Sequence, residues 1–219
     1  MNYLSFDVGI KNLSYCELNQ EKQIIQWDII NIDDSPICDV TLRKKCEKQA
    51  TYSINNNETI KYCCTTHSKK FKGKKKLNTK NDIFKLSQLC ISKLNMIDLS
   101  RIRTVLIENQ PALKNPIMKS IQMIIYTFFI IKGVMDPKSG IENVNMVNAR
   151  NKLKIYKGPK INCNKKGKYA QNKFLSIEYT KYMINNEDIK FKDLFHTCKK
   201  KDDLADSYLQ GIYWIEKYN

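Results

Sequence analysis

The sequence predicts an α/β protein. Its core is a mixed five-stranded sheet flanked by helices, and a small cysteine-rich insert follows the third strand. Three observations predict this. Three short apolar runs with brief connections stand before residue 34. Helix-like and strand-like segments alternate after residue 80. Between them lies a polar stretch rich in cysteine and lysine with no convincing periodicity.

Tyr3 to Val8 is an apolar run that ends in Asp7-Val8-Gly9, and Leu13 to Leu18 is a second. Gly9 to Asn12 between them has turn character. Gln23 to Ile32 is a third run, rich in Ile. Short connections between such runs predict an antiparallel meander. After the insert, Asn81 to Leu99 carries apolar residues three to four apart, the period of a helix. Thr104 to Ile107 is a short buried strand running into Glu108. Pro116 to Lys132 reads as a helix, with Pro near its start and Gly133 after its end. Its second half is apolar all round, which predicts deep burial. Val144 to Val147 is another strand, Asn148 to Lys168 a basic loop, Tyr169 to Ile184 an amphipathic helix and Asp202 to Tyr218 a last helix. Meander first and alternation later means a mixed sheet covered on both faces. The expected division is 1–34 with 81–219 as one domain, and 35–80 as the insert.

Length and composition agree. The chain has 219 residues, 42 % hydrophobic and 27 % charged. That suits one domain with a small insert and excludes a disordered chain or a coiled-coil rod. The most apolar stretch, Ile121 to Ile131, is shorter than the roughly 20 residues a spanning helix needs. The start has neither a basic region nor a long apolar run, so no signal peptide is expected. Without secretion, the eight cysteines are expected as thiols or metal ligands in a reducing compartment.

Lys+Arg is 38 against Asp+Glu 22, a net charge of +16. Such an excess points to a polyanionic partner. Only Arg43, Arg101, Arg103 and Arg150 are arginines. Lysine meets phosphate as a point charge, whereas bidentate base reading prefers arginine. The composition therefore leans towards recognition of backbone and shape.

Four acids stand out in so basic a chain. Asp7 ends the first strand and Glu108 ends a buried strand in Ile107-Glu108-Asn109-Gln110. Asp203 and Asp206 lie three apart at the start of the last helix, on one face. Singly each has a plain reading: a turn residue, a helix-cap acid, or the point where a strand meets water. Jointly they predict a site, provided the first and fourth strands are neighbours. Four clustered carboxylates repel unless cations neutralise them. Oxygen-rich sites suit Mg²⁺ or Mn²⁺, and two such ions about 4 Å apart serve phosphodiester cleavage.

Phe6-Asp7-Val8-Gly9-Ile10-Lys11-Asn12-Leu13, Ile107-Glu108-Asn109-Gln110 and Asp203-Leu204-Ala205-Asp206-Ser207 together resemble the motifs of RuvC-type Holliday junction resolvases. The likeness is to the branch found in poxviruses and other large DNA viruses, and it covers everything except the insert. It implies an RNase H-like fold, with Asp7, Glu108, Asp203 and Asp206 as catalytic residues and ligands of two Mg²⁺ or Mn²⁺ ions. It also implies a homodimer that resolves four-way DNA junctions by paired symmetric nicks during viral recombination or replication. The expected location is the host cytoplasm or a viral replication site. Asp202 reaches the same helix face as Asp206; the family spacing of three favours Asp203. An alternative activity is a nuclease of the same fold acting on hybrids or flaps. Another is a zinc-containing, non-catalytic DNA-binding factor, against which the presence of all four acids speaks.

Cys38, Cys46, Cys63, Cys64 and His67 fall within 30 residues. Cys38, Cys46, Cys64 and His67 are assigned to one structural Zn²⁺, because four S/N ligands suit a tetrahedral site and Cys64-Thr65-Thr66-His67 has a knuckle's gap. Cys63 is an alternative to Cys64, with a longer gap to His67, and incidental free thiols are the alternative to a site. Glu47-Lys48-Gln49-Ala50-Thr51-Tyr52 is expected to form a short hairpin with Ile60-Lys61-Tyr62. Cys16, Cys90, Cys163 and Cys198 stand singly and are assigned to packing. His196 is assigned to structure, with a mobile proton donor as the alternative.

Seven lysines lie between Lys69 and Lys80, and a second cluster runs from Arg150 to Lys168. Lys11, Lys74, Lys75, Lys76, Arg150, Lys152, Lys154 and Lys157 are expected on DNA phosphates.

Overall fold

The computed structural model describes residues 1–56, 59–77, 82–113 and 115–218. Lys80, expected in the basic arm, and Asn81, expected to open a helix, lie outside the described residues. The chain forms two compact units. One comprises Met1–Ile32 with Ile83–Asn219, the other Asp33–Asp82.

The first unit opens with β1 (Asn2–Asp7), β2 (Leu13–Leu18) and β3 (Ile24–Ile30), paired antiparallel in sequence. The β1–β2 turn is tight: a Cβ on Gly9 would stand 2.4 Å from the Asn12 carbonyl oxygen. The second unit holds β4 (Tyr52–Asn56), β5 (Thr59–Cys63), the single helical turn α1 (Thr65–Ser68) and β6 (Lys75–Lys76). These strands make a three-stranded antiparallel sheet with β4 central. The second arm of the expected hairpin, Ile60 to Tyr62, is present in β5, but its partner is β4 (Tyr52–Asn56), which shares only Tyr52 with the expected first arm, Glu47 to Tyr52. β4 and β6 were not legible, because β6 is only two residues long and short strands on a polar surface leave no alternating pattern.

The first unit resumes with α2 (Ile83–Leu94), β7 (Ile102–Glu108), α3 (Pro116–Phe129) and β8 (Asn143–Val147). Then follow α4 (Lys168–Met183), α5 (Ile189–Thr197) and α6 (Lys201–Tyr218). Its sheet has the order β3-β2-β1-β7-β8, with β7 parallel to β1 and β8 parallel to β7. The expected mixed five-stranded sheet is therefore observed, and the first and fourth of its strands are neighbours.

Strands buried on both faces are mostly apolar, and β1, β2 and β7 are so apart from a few buried polar residues such as Ser5, Ser14 and Thr104. Leu4, Phe6, Leu13, Val105 and Ile107 pack against Leu86, Cys90 and Leu94 of α2 and Ile121, Ile125 and Phe129 of α3. The alternate residues Tyr3, Cys16, Leu18, Trp27 and Leu106 pack against Phe191 and Phe195 of α5 and Leu204, Tyr208, Leu209 and Ile212 of α6. Trp27 stacks on Phe195 with ring centroids 5.3 Å apart.

Small residues let α6 approach the sheet closely. A Cβ on Gly211 would stand 2.6 Å from Leu18 Cδ1. Ser14 Oγ and Ser207 Oγ share a hydrogen bond of 2.8 Å. Gln210 Nε2 donates to Ser5 Oγ and to the Phe6 carbonyl, both at 3.1 Å.

Three segments differ from expectation. Residues 149–155, expected as loop, form a 3-10 helix capped by Asn148, whose side chain accepts from the Arg150 amide. The short helix α5 was not expected; it opens with Asp188 as its cap. With its π-helical continuation, α3 forms a helix over Pro116–Val134, long and apolar enough by composition to cross a membrane. Burial on the sheet accounts for part of its apolar character, through Ile121, Ile125 and Phe129, but the expected deep burial all round is not met, because Met123, Ile131 and Val134 are exposed.

Candidate active site

Pairing of β1 with β7 sets Phe6 level with Ile107, so Asp7 and Glu108 end neighbouring parallel strands. Ligand sites in open α/β sheets form at that carboxyl edge. The close docking of α6 brings its first turns to the same edge. Asp7 and Glu108 share a side-chain hydrogen bond, and Asp206 is near enough to act on both electrostatically. Glu108, Asp202, Asp203 and Asp206 line one cavity.

The carboxylates disturb one another as crowded acids should. Burial, then the charge and hydrogen bond of Glu108, then Asp206, hold Asp7 well above the ordinary carboxylate range. Burial also raises Asp206, against the pull of Lys152. Asp203 is pushed up to about 6, by burial first and then by the charge of Asp202. Among the described residues, Asp203 Oδ2 is buried without a hydrogen-bond partner. Asp202, the rival in the sequence, is ion-paired with Lys173 instead. Burial would raise it, but the Lys173 hydrogen bond and charge outweigh that and hold it below the ordinary value.

Lys152, expected on DNA, has its Nζ 2.6 Å from Asp206 Oδ2, and its side chain is only 15 % exposed. The 3-10 helix turns it into the acids. Burial alone would lower its pKa, but Asp206, Asp7 and Glu108 together raise it.

Glu108 is braced from α3. Gln110 Nε2 donates to Glu108 Oε2 at 2.6 Å, and the Gln110 amide donates to Gln122 Oε1 at 2.8 Å. Lys119 Nζ donates to Gln122 Oε1 and to Asn109 Oδ1, both at 3.1 Å. Gln122, Lys119 and Lys173 were missed from the sequence. A fully buried glutamine inside an apolar helix was the available signal.

The remaining cations lie outward. Arg150 is exposed and lines the acidic cavity. Lys11 and Lys154 are exposed. Lys157 is exposed and shares Glu216 with Lys22, at 3.3 and 3.0 Å. His196 is exposed on α5 and does not line the cavity.

In the second unit Cys38, Cys46, Cys64 and His67 offer ligand atoms all within 4.8 Å of one another. Cys38 Sγ is 3.4 Å from His67 Nδ1. Burial pushes the Cys64 thiol up, but the backbone amides of His67 and Thr66, with hydrogen bonds from Cys38 and Cys46, hold it below the ordinary value. That shift favours the thiolate, the form that binds metal. Cys63, buried at the end of β5, stands outside the cluster, and burial raises its thiol. Lys74 lies over the Tyr52 ring at 5.4 Å, and Lys75 and Lys76 are exposed on β6.

No family model matches the chain. It is 34 % identical to the uncharacterized protein L451 of Acanthamoeba polyphaga mimivirus, across 94 % of this chain and 57 % of that protein. The chain thus spans little more than half the length of that relative. Among solved structures it resembles the yeast mitochondrial Holliday junction resolvase Ydc2, with a TM-score of 0.54 and 15 % identity, over 97 % of this chain and 78 % of that one. The Fowlpox virus resolvase in complex with Holliday junction DNA gives a TM-score of 0.49 and 22 % identity, over 99 % and 97 %. The chain shares the fold of that yeast resolvase, a mixed five-stranded sheet flanked by helices.

Proposed function

We propose that this chain is a divalent-metal-dependent endonuclease that resolves four-way DNA junctions by paired nicks. The observation that carries the reading is the gathering of Asp7, Glu108, Asp203 and Asp206 at one sheet edge of a resolvase fold. The mimivirus relative suits a role in the recombination or replication of a large DNA virus.

The acids fit two Mg²⁺ or Mn²⁺ ions. They are oxygen donors, burial and mutual repulsion raise Asp7, Asp203 and Asp206, and Asp203 Oδ2 has no partner among the described residues. Bound cations supply an activated water and stabilise the leaving oxygen. Asp7, Glu108, Asp203 and Asp206 hold them, and Gln110 fixes the Glu108 carboxylate. Lys152 neutralises Asp206 until they arrive. Arg150, Lys154 and Lys157 face outward to meet phosphates. In the second unit, Cys38, Cys46, Cys64 and His67 hold one structural Zn²⁺. Lys74, Lys75 and Lys76 beside it serve as a phosphate-binding arm.

Paired nicks need two sites, hence a homodimer. The apolar groove of Ile91, Met123, Ile124 and Ile131 on α2 and α3 supports that assembly, because Ile91, Met123 and Ile131 are exposed.

The test uses labelled four-way junction, duplex and RNA–DNA hybrid with Mg²⁺. Junction cleavage is expected, lost in Asp7→Asn, Glu108→Gln, Asp203→Asn or Asp206→Asn, with junction binding retained. Cleavage of the hybrid in preference to the junction overturns the substrate, and full activity in Glu108→Gln removes that residue.

A further inference from the structure

The acidic cavity extends beyond its carboxylates. Its volume is about 360 Å³, at the lower end of the range for small-molecule sites. One wall carries Glu108, Asp203 and Asp206. The other is one face of α4, where Tyr169, Asn172 and Lys173 recur at helical spacing. Tyr169 is 74 % exposed, an unusual position for a ring beside buried acids. Lys173 Nζ sits 5.1 Å from its centroid and also hydrogen-bonds its side chain. Lys173 is in turn held by Asp202. Asn172 is exposed on the same face, and Arg150, one of four arginines in the chain, lines the same cavity.

We propose that this wall is a subsite for the single nucleotide that flanks the cleaved phosphate, with its base stacked on Tyr169, its edge read by Asn172 and its neighbouring phosphate held by Arg150. The inference rests on the nuclease reading. A phosphate cleaved at cations held by these carboxylates would place its adjoining base at the same cavity. At a branch point base stacking is interrupted, so a base face is available at little cost. An aromatic ring accepts any base. An exposed amide offers a donor and an acceptor together, the pattern that pairs with adenine. Arginine takes phosphate in a fixed two-point geometry. The subsite adds a local sequence preference to a protein whose lysines otherwise read only backbone.

The test places 2-aminopurine beside the cleaved phosphate of a four-way junction, at a position mapped by cleavage in Mg²⁺, with Ca²⁺ replacing Mg²⁺ during binding. Binding by the full chain should quench the probe. Tyr169→Phe should keep the quench. Tyr169→Ala should abolish it and weaken junction binding about fivefold or more. Asn172→Ala should keep the quench but level the cleavage rates of junctions that differ only at that base. An unchanged quench in Tyr169→Ala overturns the subsite while leaving the nuclease reading intact. Unchanged rate ratios in Asn172→Ala overturn the base reading. If the unaltered chain binds no junction, the nuclease reading falls and the subsite with it.

Discussion

Lys152→Met removes the ammonium that faces the acids and keeps most of the side chain's apolar stem. The Nζ stands 2.6 Å from Asp206 Oδ2, with both side chains largely shielded from water. Removing one partner of such a pair costs about 3–5 kcal/mol, because the other charge is left buried. A second route sets a ceiling on that cost: Asp206 can take a proton. From its ordinary value of 3.8, protonation costs about 4 kcal/mol at pH 7 and under about 2 kcal/mol at pH 5. The loss should therefore be close to 4 kcal/mol at neutral pH and roughly half as large at pH 5. In a chain of this size that is a fall in Tm on the order of 10 °C at pH 7. Thermal melts in buffer free of Mg²⁺, at both pH values, read it directly. Saturating Mg²⁺ should recover most of the difference, because a bound cation replaces the ammonium against Asp206. A loss of equal size at pH 5 and pH 7 would show that Lys152 acts through packing. No loss at all would remove the ion pair from the account.

Asp203 supplies a pH dependence of its own. Its value in the folded chain is about 6 against an ordinary 3.8, so the folded state binds the proton more tightly. That stability is present below pH 4 and is lost as pH rises from about 4 to 6, by less than about 3 kcal/mol because solvent screens a partly buried group. Melting temperatures of the metal-free chain should fall across that window, and Asp203→Asn should flatten the fall; an equally steep fall in the variant assigns it to another group. Elemental analysis should find about one zinc per chain, lost in Cys64→Ser and kept in Cys63→Ser; the reverse order would move the ligand by one position. Stripping the zinc should open the lysines of Asp33–Asp82 to trypsin while leaving the first unit resistant, and equal resistance before and after would mean that this unit folds without metal. Ile131→Asp should convert a dimer to a monomer in sedimentation and leave each chain folded; an unchanged sedimentation coefficient would place the interface elsewhere.

Much of the fold was legible in the chain because its signals are local. β1, β2 and β7 are buried on both faces, and a doubly buried strand is dominated by apolar residues over a stretch short enough to be seen locally. Asp7 and Glu108 were visible as the first charges after such runs. Asp203 and Asp206 were visible through helical spacing, and Cys64 with His67 through the gap of a metal knuckle. Each is a relation between neighbours along the chain. What the tertiary structure alone decided is which distant groups answer those. That β1 and β7 lie side by side, that α6 docks closely through Ser207 and Gly211, and that Asp202 turns to Lys173 while Asp203 does not, follow from packing between segments far apart in sequence. Lys152 shows the reason most clearly. By composition it is one more lysine in a basic run, exposed like its neighbour Lys154. A 3-10 turn aims it inward, where burial and three carboxylates make it a counter-ion. Charge type is written in the sequence, but the work a charge does depends on the solvent and charges around it, and only the folded chain sets those.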